Sequence, residues 1–106
     1  MKNYYKIGIV KYTDHASLNR IELGAKNCLK ELGEKYNIEF DYEKYVYDAQ
    51  ADTELMKKIG QELADAKVDL VISIATPPTV AMKDILAENK INMLLLEYMS
   101  FDETGA

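Results

Sequence analysis

The chain has 106 residues, a net charge of −5 at pH 7 and a 48% apolar composition, which fits one globular domain with a single core. The acidic balance argues against a broad basic surface, so no nucleic-acid partner is expected. The longest uninterrupted apolar stretch is Met93–Leu96, far short of the roughly 20 residues that span a bilayer.

The first third of the chain predicts a buried strand and a long helix. Tyr5–Tyr12 carries apolar and β-branched side chains between polar flanks, which is typical of a buried strand. The next turn is rich in cap-forming side chains, so we expect a helix to begin at Asp14 or Ser17. Its apolar stripe ends at Gly33, a natural C-terminal stop. Gly24 costs about 1 kcal/mol against Ala inside a helix, which predicts a close approach to the sheet.

Cys28 is the only cysteine of these 106 residues, so they hold neither an internal disulfide nor a multi-cysteine metal site. It falls on the apolar stripe of the predicted helix, beside Ala25, Leu29 and Leu32. A buried, inert thiol is therefore favoured over a nucleophile.

The middle of the chain predicts an edge strand and a second helix. Ile38–Glu43 alternates apolar and acidic side chains, which is typical of a strand with one buried face. Tyr45–Tyr47 extends this strand after a bulge. A capping turn at Asp48–Asp52 then precedes a helix with an apolar stripe from Leu55 to Ala66.

The last part of the chain predicts two strands around a third helix. Asp69–Ala75 is almost continuously apolar, which suits a central parallel strand covered on both faces. Thr76 is predicted to cap the helix, with Pro77 at its first position, where a missing N–H costs little. The fourth strand is predicted over Ile91–Met99.

The resulting order of elements is βαβαβαβ over one lobe, residues 1–106. Short loops and right-handed crossovers predict a three-layer, doubly wound, mostly parallel α/β sheet of flavodoxin-like type. The predicted strand order is 2-1-3-4, with the alternating second strand at one edge.

Sheets of this kind bind ligands beyond the carboxyl ends of their strands, where the strand order reverses. Here that point lies between the first and third strands, whose outgoing loops offer hydroxyls and helix N-termini suited to a carboxylate or small phosphate. The predicted ligand-binding residues are Tyr12, Asp14, Ser17, Gln50, Thr76 and Thr79.

Most of these candidates have a structural alternative. Asp14 and Ser17 are cap formers before they are contacts, and Thr76 divides evenly between the two roles. Tyr12 either stacks on a ligand or covers the end of the sheet. The hydroxyl of Thr79, in the first turn of the third helix, can face either way.

Three further residues near the crevice are weighed in the same way. Gln50 borders the crevice or caps its own loop. His15, the only histidine, is interpreted as a solvated turn residue without a partner. Glu97, at the end of the fourth strand, is placed further from the crevice.

Several segments, taken in order, resemble a known family. They are Lys6–Val10, Asp14–Leu18, Leu29–Gly33, Asp48–Asp52 and Asp69–Pro77. Their sequence and spacing resemble the ABC-transporter substrate-binding proteins, which include binders of the aromatic-amino-acid type. The departures from the family pattern are Asn92 and Glu103, each where the family has Pro, and the run from Leu94 to Met99.

The resemblance implies a type I periplasmic-binding fold, of which this chain is the N-terminal lobe. A small-molecule ligand such as an amino acid would lie between two lobes and pass to an ABC permease. The loop after the first strand and the Thr-Pro loop would line this lobe's half of the cleft. The family implies an extracytoplasmic, membrane-associated location, although no signal peptide is recognised before the first strand.

A single lobe offers half a cleft, whereas small-ligand pockets bury roughly 70–90% of their ligand. Weak binding is therefore expected, and the exposed cleft face suits a homodimer. The alternative function is a lobe that self-associates without a ligand. A phospho-receiver lacks its Asp at the end of the third strand, and a flavin domain lacks glycine in the first loop. No enzyme, metal site or cofactor is predicted, because no Gly-rich phosphate loop or catalytic triad pattern occurs.

Overall fold

Strands and helices alternate along residues 3–97, the part of the chain that the computed structural model describes. The strands are β1 (Tyr4–Lys11), β2 (Glu39–Asp41), β3 (Val46–Asp48), β4 (Leu70–Ile74) and β5 (Asn92–Leu96). The helices are α1 (Ala16–Tyr36), α2 (Thr53–Asp65) and α3 (Thr76–Glu88), and a 3-10 turn at Glu43–Tyr45 separates β2 from β3. None of the helices in this part of the chain has the length and apolar character needed to cross a membrane.

All strand pairs of the sheet are parallel, and the order is β2-β1-β4-β5. The start of β1 pairs with β2, and Ile9–Lys11 at its end pairs with β3 on one side and with β4 on the other. The predicted mostly parallel, doubly wound α/β fold is therefore confirmed. The order differs in one detail, because the predicted second strand is two short segments that both pair with β1.

The core has two layers, one on each face of the sheet. Alternate residues of β1 point to opposite faces, as the two-residue period of a strand requires. Val10 belongs to the layer under α2 and α3, and Ile7 and Ile9 belong to the layer under α1. Within residues 3–97, two helices cover one face of the sheet and one helix covers the other, so the α1 face beside β5 is thinly covered by these residues.

Close packing of α2 on β1 explains Gly8. A Cβ atom at this position would lie 2.8 Å from Leu63 Cδ2, and Leu63 is fully buried. Gly24 behaves differently from the prediction, because a Cβ atom there would have no neighbour within 4 Å. The expected close approach of α1 to the sheet at Gly24 is therefore wrong, and the glycine is solvent-exposed.

The ends of α1 also differ from the sequence prediction. His15, rather than Asp14 or Ser17, is the N-cap residue, and its Nδ1 accepts a hydrogen bond from the Ser17 N–H. The helix continues past Gly33 to Tyr36, and its C-cap residue Asn37 adopts a left-handed conformation with φ of 54°. Gly33 is needed for a different reason, since a Cβ atom there would lie 2.6 Å from the Ile38 carbonyl oxygen.

Cys28 corrects a further prediction, because its side chain is exposed rather than buried. The apolar stripe on which it lies faces the thinly covered side of the sheet, so helical periodicity alone overestimated its burial. The predicted fourth strand ends early, with β5 stopping at Leu96. Its last two predicted residues and the tail Ser100–Ala106 lie outside the described residues.

A charge cluster ties α1 to β1. The Lys11 ammonium lies 3.0 Å from Glu22 Oε1, and the Lys26 ammonium lies 2.7 Å from Glu22 Oε2. Burial raises the pKa of the Glu22 carboxyl, but the hydrogen bonds from Lys26 and Lys11 together outweigh it and hold that pKa below its ordinary value. Glu22 is therefore a charged link between the helix and the central strand.

Candidate functional site

The carboxyl ends of β1 and β4 lie side by side, because the two strands pair in parallel from Ile7 and Leu70 to Lys11 and Ile74. One step further, the Tyr12 N–H donates to the Ile74 carbonyl oxygen at 3.2 Å. The loop that enters α1 and the loop that enters α3 therefore begin at the same sheet edge. This adjacency is the one on which the predicted crevice depended.

An open depression of about 460 Å³ lies at this edge. We call it the β1/β4 depression, and its lining residues are Tyr12, Thr13, His15, Ser17, Leu18, Ala75, Thr76, Pro77 and Glu97. Three predicted ligand-binding residues, Tyr12, Ser17 and Thr76, contribute to its surface. Asp14, Gln50 and Thr79 do not line it.

Asp14 belongs to a polar network beside the depression. Its Oδ1 accepts a hydrogen bond of 2.7 Å from Asn19 Nδ2, and Asn19 Oδ1 accepts another of 2.7 Å from the Lys11 ammonium. The network continues from Lys11 to Glu22. Asp14 thus helps to fix the start of α1, where it had been considered as the cap.

Gln50 lies in the turn after β3, on the other side of β1 from β4. Its backbone adopts φ of 53° and its N–H donates to Asp48 Oδ1 at 2.9 Å. The Asp48 carboxylate therefore caps this turn. Gln50 itself is exposed, and the turn is anchored to the first loop by a bond of 2.8 Å from the Ala51 N–H to the Tyr12 carbonyl oxygen.

Thr79 lies on the inner side of α3, below the β1/β4 depression. Its Oγ1 is 2.8 Å from Ser73 Oγ and 2.9 Å from the Ala75 carbonyl oxygen. A hydroxyl has one proton and a carbonyl only accepts, so Thr79 donates to Ala75 and accepts from Ser73. Ser73 is fully buried at the end of β4, and this pair satisfies its hydroxyl.

The start of α3 differs from the prediction at Thr76. Ala75 is the N-cap residue, and no side chain caps the helix. The Thr76 hydroxyl instead donates to Glu97 Oε1 at 2.9 Å. Pro77 and Pro78 have no N–H, so only two of the first four helical residues can offer one. This N-terminus is therefore a poorer anion site than the sequence suggested.

Ala75 has φ of 92° and ψ of 163°, a region occupied almost only by glycine, at a cost of order 1–3 kcal/mol for other residues. Two bonds hold it there. Its N–H donates to the Leu96 carbonyl oxygen at 2.8 Å, and its own carbonyl accepts from Thr79. Ala75 lies in the wall of the β1/β4 depression. Backbone strain of this kind is commonly found at functional sites.

Glu97 is the residue that sequence reasoning placed too far away. The parallel pair of β4 and β5 aligns Ile74 with Leu96, so the residue after each strand emerges at the same edge. Glu97 therefore lies beside Thr76 and in the wall of the β1/β4 depression. Tyr12 and Thr76 were located by the rule that residues following neighbouring parallel strands emerge at the same edge of the sheet. The same rule, applied to the last strand, could have located Glu97.

The chemistry of the site is that of a polar recognition surface. The lining residues include hydroxyl-bearing Tyr12, Ser17 and Thr76, the acidic Glu97, and the apolar Leu18 and Pro77. Across the part of the chain that is described, no group of three or more His, Cys, Asp or Glu residues is arranged to hold a metal ion. Such a surface can bind a small molecule with both polar and apolar parts.

A family model described as ABC transporter substrate binding protein matches residues 6–94 of this chain. No curated protein and no solved structure matches it. The matched range begins within β1 and ends within β5. It includes the whole of both loops that enter α1 and α3, and it spans well over half of the 106 residues. The chain therefore belongs to the ABC transporter substrate binding protein family.

Proposed function

We propose that this chain is the solute-binding N-terminal lobe of an ABC-transporter substrate-binding protein, and that it holds an amino acid at the β1/β4 depression. Substrate binding for an ABC transporter is the general role of the family. The observation that carries the finer proposal is that three hydroxyl-bearing residues, Tyr12, Ser17 and Thr76, line one depression at the carboxyl ends of β1 and β4.

The roles that we assign follow from position. The Tyr12 ring provides a surface for stacking, and the hydroxyls of Ser17 and Thr76 provide hydrogen bonds to polar groups of the ligand. Asp14 and Gln50 are assigned to the rim, where they hold the flanking turns. Thr79 positions the start of α3 through its bonds to Ser73 and Ala75.

An open depression leaves much of a small ligand in water, whereas tight pockets cover roughly 70–90% of it. We therefore propose that a second lobe closes over this one, and that the closed protein delivers its ligand to an ABC permease on the extracytoplasmic side of a membrane. The lobe alone should then bind weakly.

We propose no catalytic step at this edge. The role of the family is transport-related, and the Nδ1 atom of His15 is engaged by the Ser17 N–H. Neither hydroxyl of Ser17 or Thr76 has an imidazole base among its hydrogen-bond partners in residues 3–97, which removes the usual arrangement for activating a nucleophile.

The proposal is tested by calorimetry and thermal-shift measurements with each of the twenty amino acids. We expect at least one to bind with a dissociation constant in the millimolar range. Thr76→Val should weaken this binding about three- to tenfold, the value of one hydrogen bond. Thr53→Val is the matched control, because Thr53 is the first residue of α2 as Thr76 is of α3, and it should bind as the unmodified chain does.

Binding that is equally weakened by both substitutions would contradict the proposed site. The absence of any heat or stabilisation with all twenty amino acids would contradict the proposed function.

Self-association without a ligand is a second candidate, and a separate observation favours it. A groove of about 520 Å³ runs between α1 and the face of the sheet that α1 covers. We call it the α1 groove, and its lining residues are Ile7, Ile21, Gly24, Ala25, Cys28, Leu29, Leu32, Phe40, Leu70, Ile72, Leu94 and Leu96. None of these residues is charged, and burial of such a surface favours association. A homodimer that forms with or without amino acids distinguishes this candidate from the first.

A further inference from the structure

We infer that the β1/β4 depression selects ligands that carry an ammonium group, and that the carboxylate of Glu97 is its receptor. The inference rests on the proposed function and adds to it the charge that a ligand must have. The sequence predicted a carboxylate or phosphate of the ligand as the main determinant of binding, whereas this inference assigns that role to a cationic group of the ligand.

The first argument is that Glu97, which is exposed, has no ion-pair partner among residues 3–97. Its carboxylate accepts a bond from the Thr76 hydroxyl at 2.9 Å, which orients it over the start of α3. A carboxylate has about four acceptor positions, and this bond uses one of them. In residues 3–97, the ion pairs join Lys11 and Lys26 to Glu22, Lys44 to Asp41 and Lys57 to Glu54, and none of them involves Glu97.

The second argument is the composition of the wall. Among the described residues that line the β1/β4 depression, no Lys or Arg occurs and Glu97 is the only carboxylate. The nearest ammonium on β1, that of Lys11, points into the Glu22 and Asn19 network instead. A purely anionic ligand would meet a like charge at Glu97 with no fixed cation to offset it.

The third argument is the weak opposing field of α3. A helix N-terminus attracts anions through its free N–H groups and its dipole. Pro77 and Pro78 remove two of those N–H groups at α3, and His15 Nδ1 already accepts from one at α1. The remaining N–H groups suit the carboxylate of a zwitterion, whose ammonium offsets Glu97, better than they suit an isolated anion.

The inference is tested on the amino acid that binds best in the screen of twenty. Its deaminated acid and its decarboxylated amine are titrated into the same protein, with Glu97→Gln and Glu88→Gln as variants. The glutamine side chain in Glu97→Gln keeps an oxygen that can accept from Thr76, so this substitution removes the charge and replaces one acceptor oxygen by an NH2 group. Glu88 ends α3 and does not line the depression, so Glu88→Gln controls for the loss of one negative charge.

We expect the amino acid and the amine to bind and the deaminated acid to bind at least about tenfold more weakly. Glu97→Gln should weaken the amino acid and the amine about tenfold, the effect of losing one hydrogen-bonded charge, and Glu88→Gln should leave both unchanged. Far-ultraviolet circular dichroism and the melting temperature establish that both variants are folded.

A deaminated acid that binds as well as the parent amino acid overturns the inference and leaves the proposed function standing. The same holds if Glu97→Gln binds the amino acid unchanged or more tightly. If no amino acid binds the unmodified chain, the proposed function fails first and the inference fails with it.

Discussion

The hydroxyl pair of Ser73 and Thr79 joins the end of β4 to the first turn of α3, directly below the proposed site. Ser73 is 0% exposed, so water cannot replace a lost partner. The pair therefore contributes more through the penalty of breaking it than through its own net strength.

Replacing Thr79 by Val keeps the shape of the side chain and removes the oxygen that accepts from Ser73. We expect Thr79→Val to lower the free energy of unfolding by about 1–3 kcal/mol, the cost of an unsatisfied buried polar group. Adding Ser73→Ala removes the stranded hydroxyl and should restore part of the loss. Urea denaturation of both variants measures this, and a double variant no more stable than Thr79→Val alone would falsify the explanation.

Ala75 shows why the same turn is rigid. A non-glycine residue with φ of 92° persists only where its surroundings determine it, and here both its N–H and its carbonyl are bonded, to Leu96 and Thr79. The turn is thus fixed from β5 on one side and from α3 on the other. Thr76 follows Ala75 and Glu97 follows Leu96, so the bond between Ala75 and Leu96 sets the relative position of these two residues.

At the scale of elements, the two faces of the sheet are packed differently. The space around two glycines, one on each side, shows this difference. Gly8 lies in β1 where the fully buried Leu63 of α2 leaves no room for a methyl group, with a separation of 2.8 Å. Gly24 lies in α1 with open space around its Cα atom. The same Gly→Ala substitution should therefore have opposite effects on the stability of the fold at these two positions.

We expect Gly8→Ala to destabilise the chain by about 1–3 kcal/mol through overpacking. Gly24→Ala should stabilise it by about 1 kcal/mol, because alanine loses less backbone entropy in a helix. Thermal and urea unfolding of the two variants, each compared with the unmodified chain, provide the measurement. A neutral Gly8→Ala would mean that Leu63 can move aside, and the tight packing of α2 on β1 would then be wrong.

The strands and helices could be predicted from the sequence because buried positions recur with the period of the element, and apolar residues occupy them. The alternation or continuity of apolar residues located the strands, and the helical stripes located the three helices. Caps were harder, because His15 and Ala75 were not the usual residue types at their positions. The second strand divides in two because a 3-10 turn at Glu43–Tyr45 interrupts its pairing with β1, where the sequence predicted a bulge within one strand.

Only the part of the candidate site that follows from the order of the strands could be predicted. Strand order placed Tyr12, Ser17 and Thr76 at one edge, whereas Glu97 required the register of the last strand pair. The inward turn of the Thr79 hydroxyl depends on its bonds to Ser73 and Ala75, and no sequence pattern encodes such a choice of rotamer. The ligand-binding roles of all six predicted residues stay predictions.

At the scale of the molecule, the two edges of the sheet differ in charge. The edge formed by β2 and β3 carries Glu39, Asp41 and Asp48, and acidic side chains of this kind discourage the pairing of edges. The opposite edge is β5, Asn92–Leu96, which has no charged residue or proline. Among the described strands it pairs only with β4.

The β5 edge and the α1 groove meet at Leu94, which is 48% exposed in β5 and also lines the groove. An antiparallel pair of β5 strands around a two-fold axis would join two sheets and cover both grooves. We expect a concentration-dependent homodimer in sedimentation velocity, abolished by Leu94→Lys because a buried, unpaired ammonium is strongly unfavourable. Leu23→Lys is the control, since Leu23 is 58% exposed on α1 outside the groove, and it should dimerise normally. A purely monomeric chain, or equal disruption by both substitutions, would contradict assembly through β5.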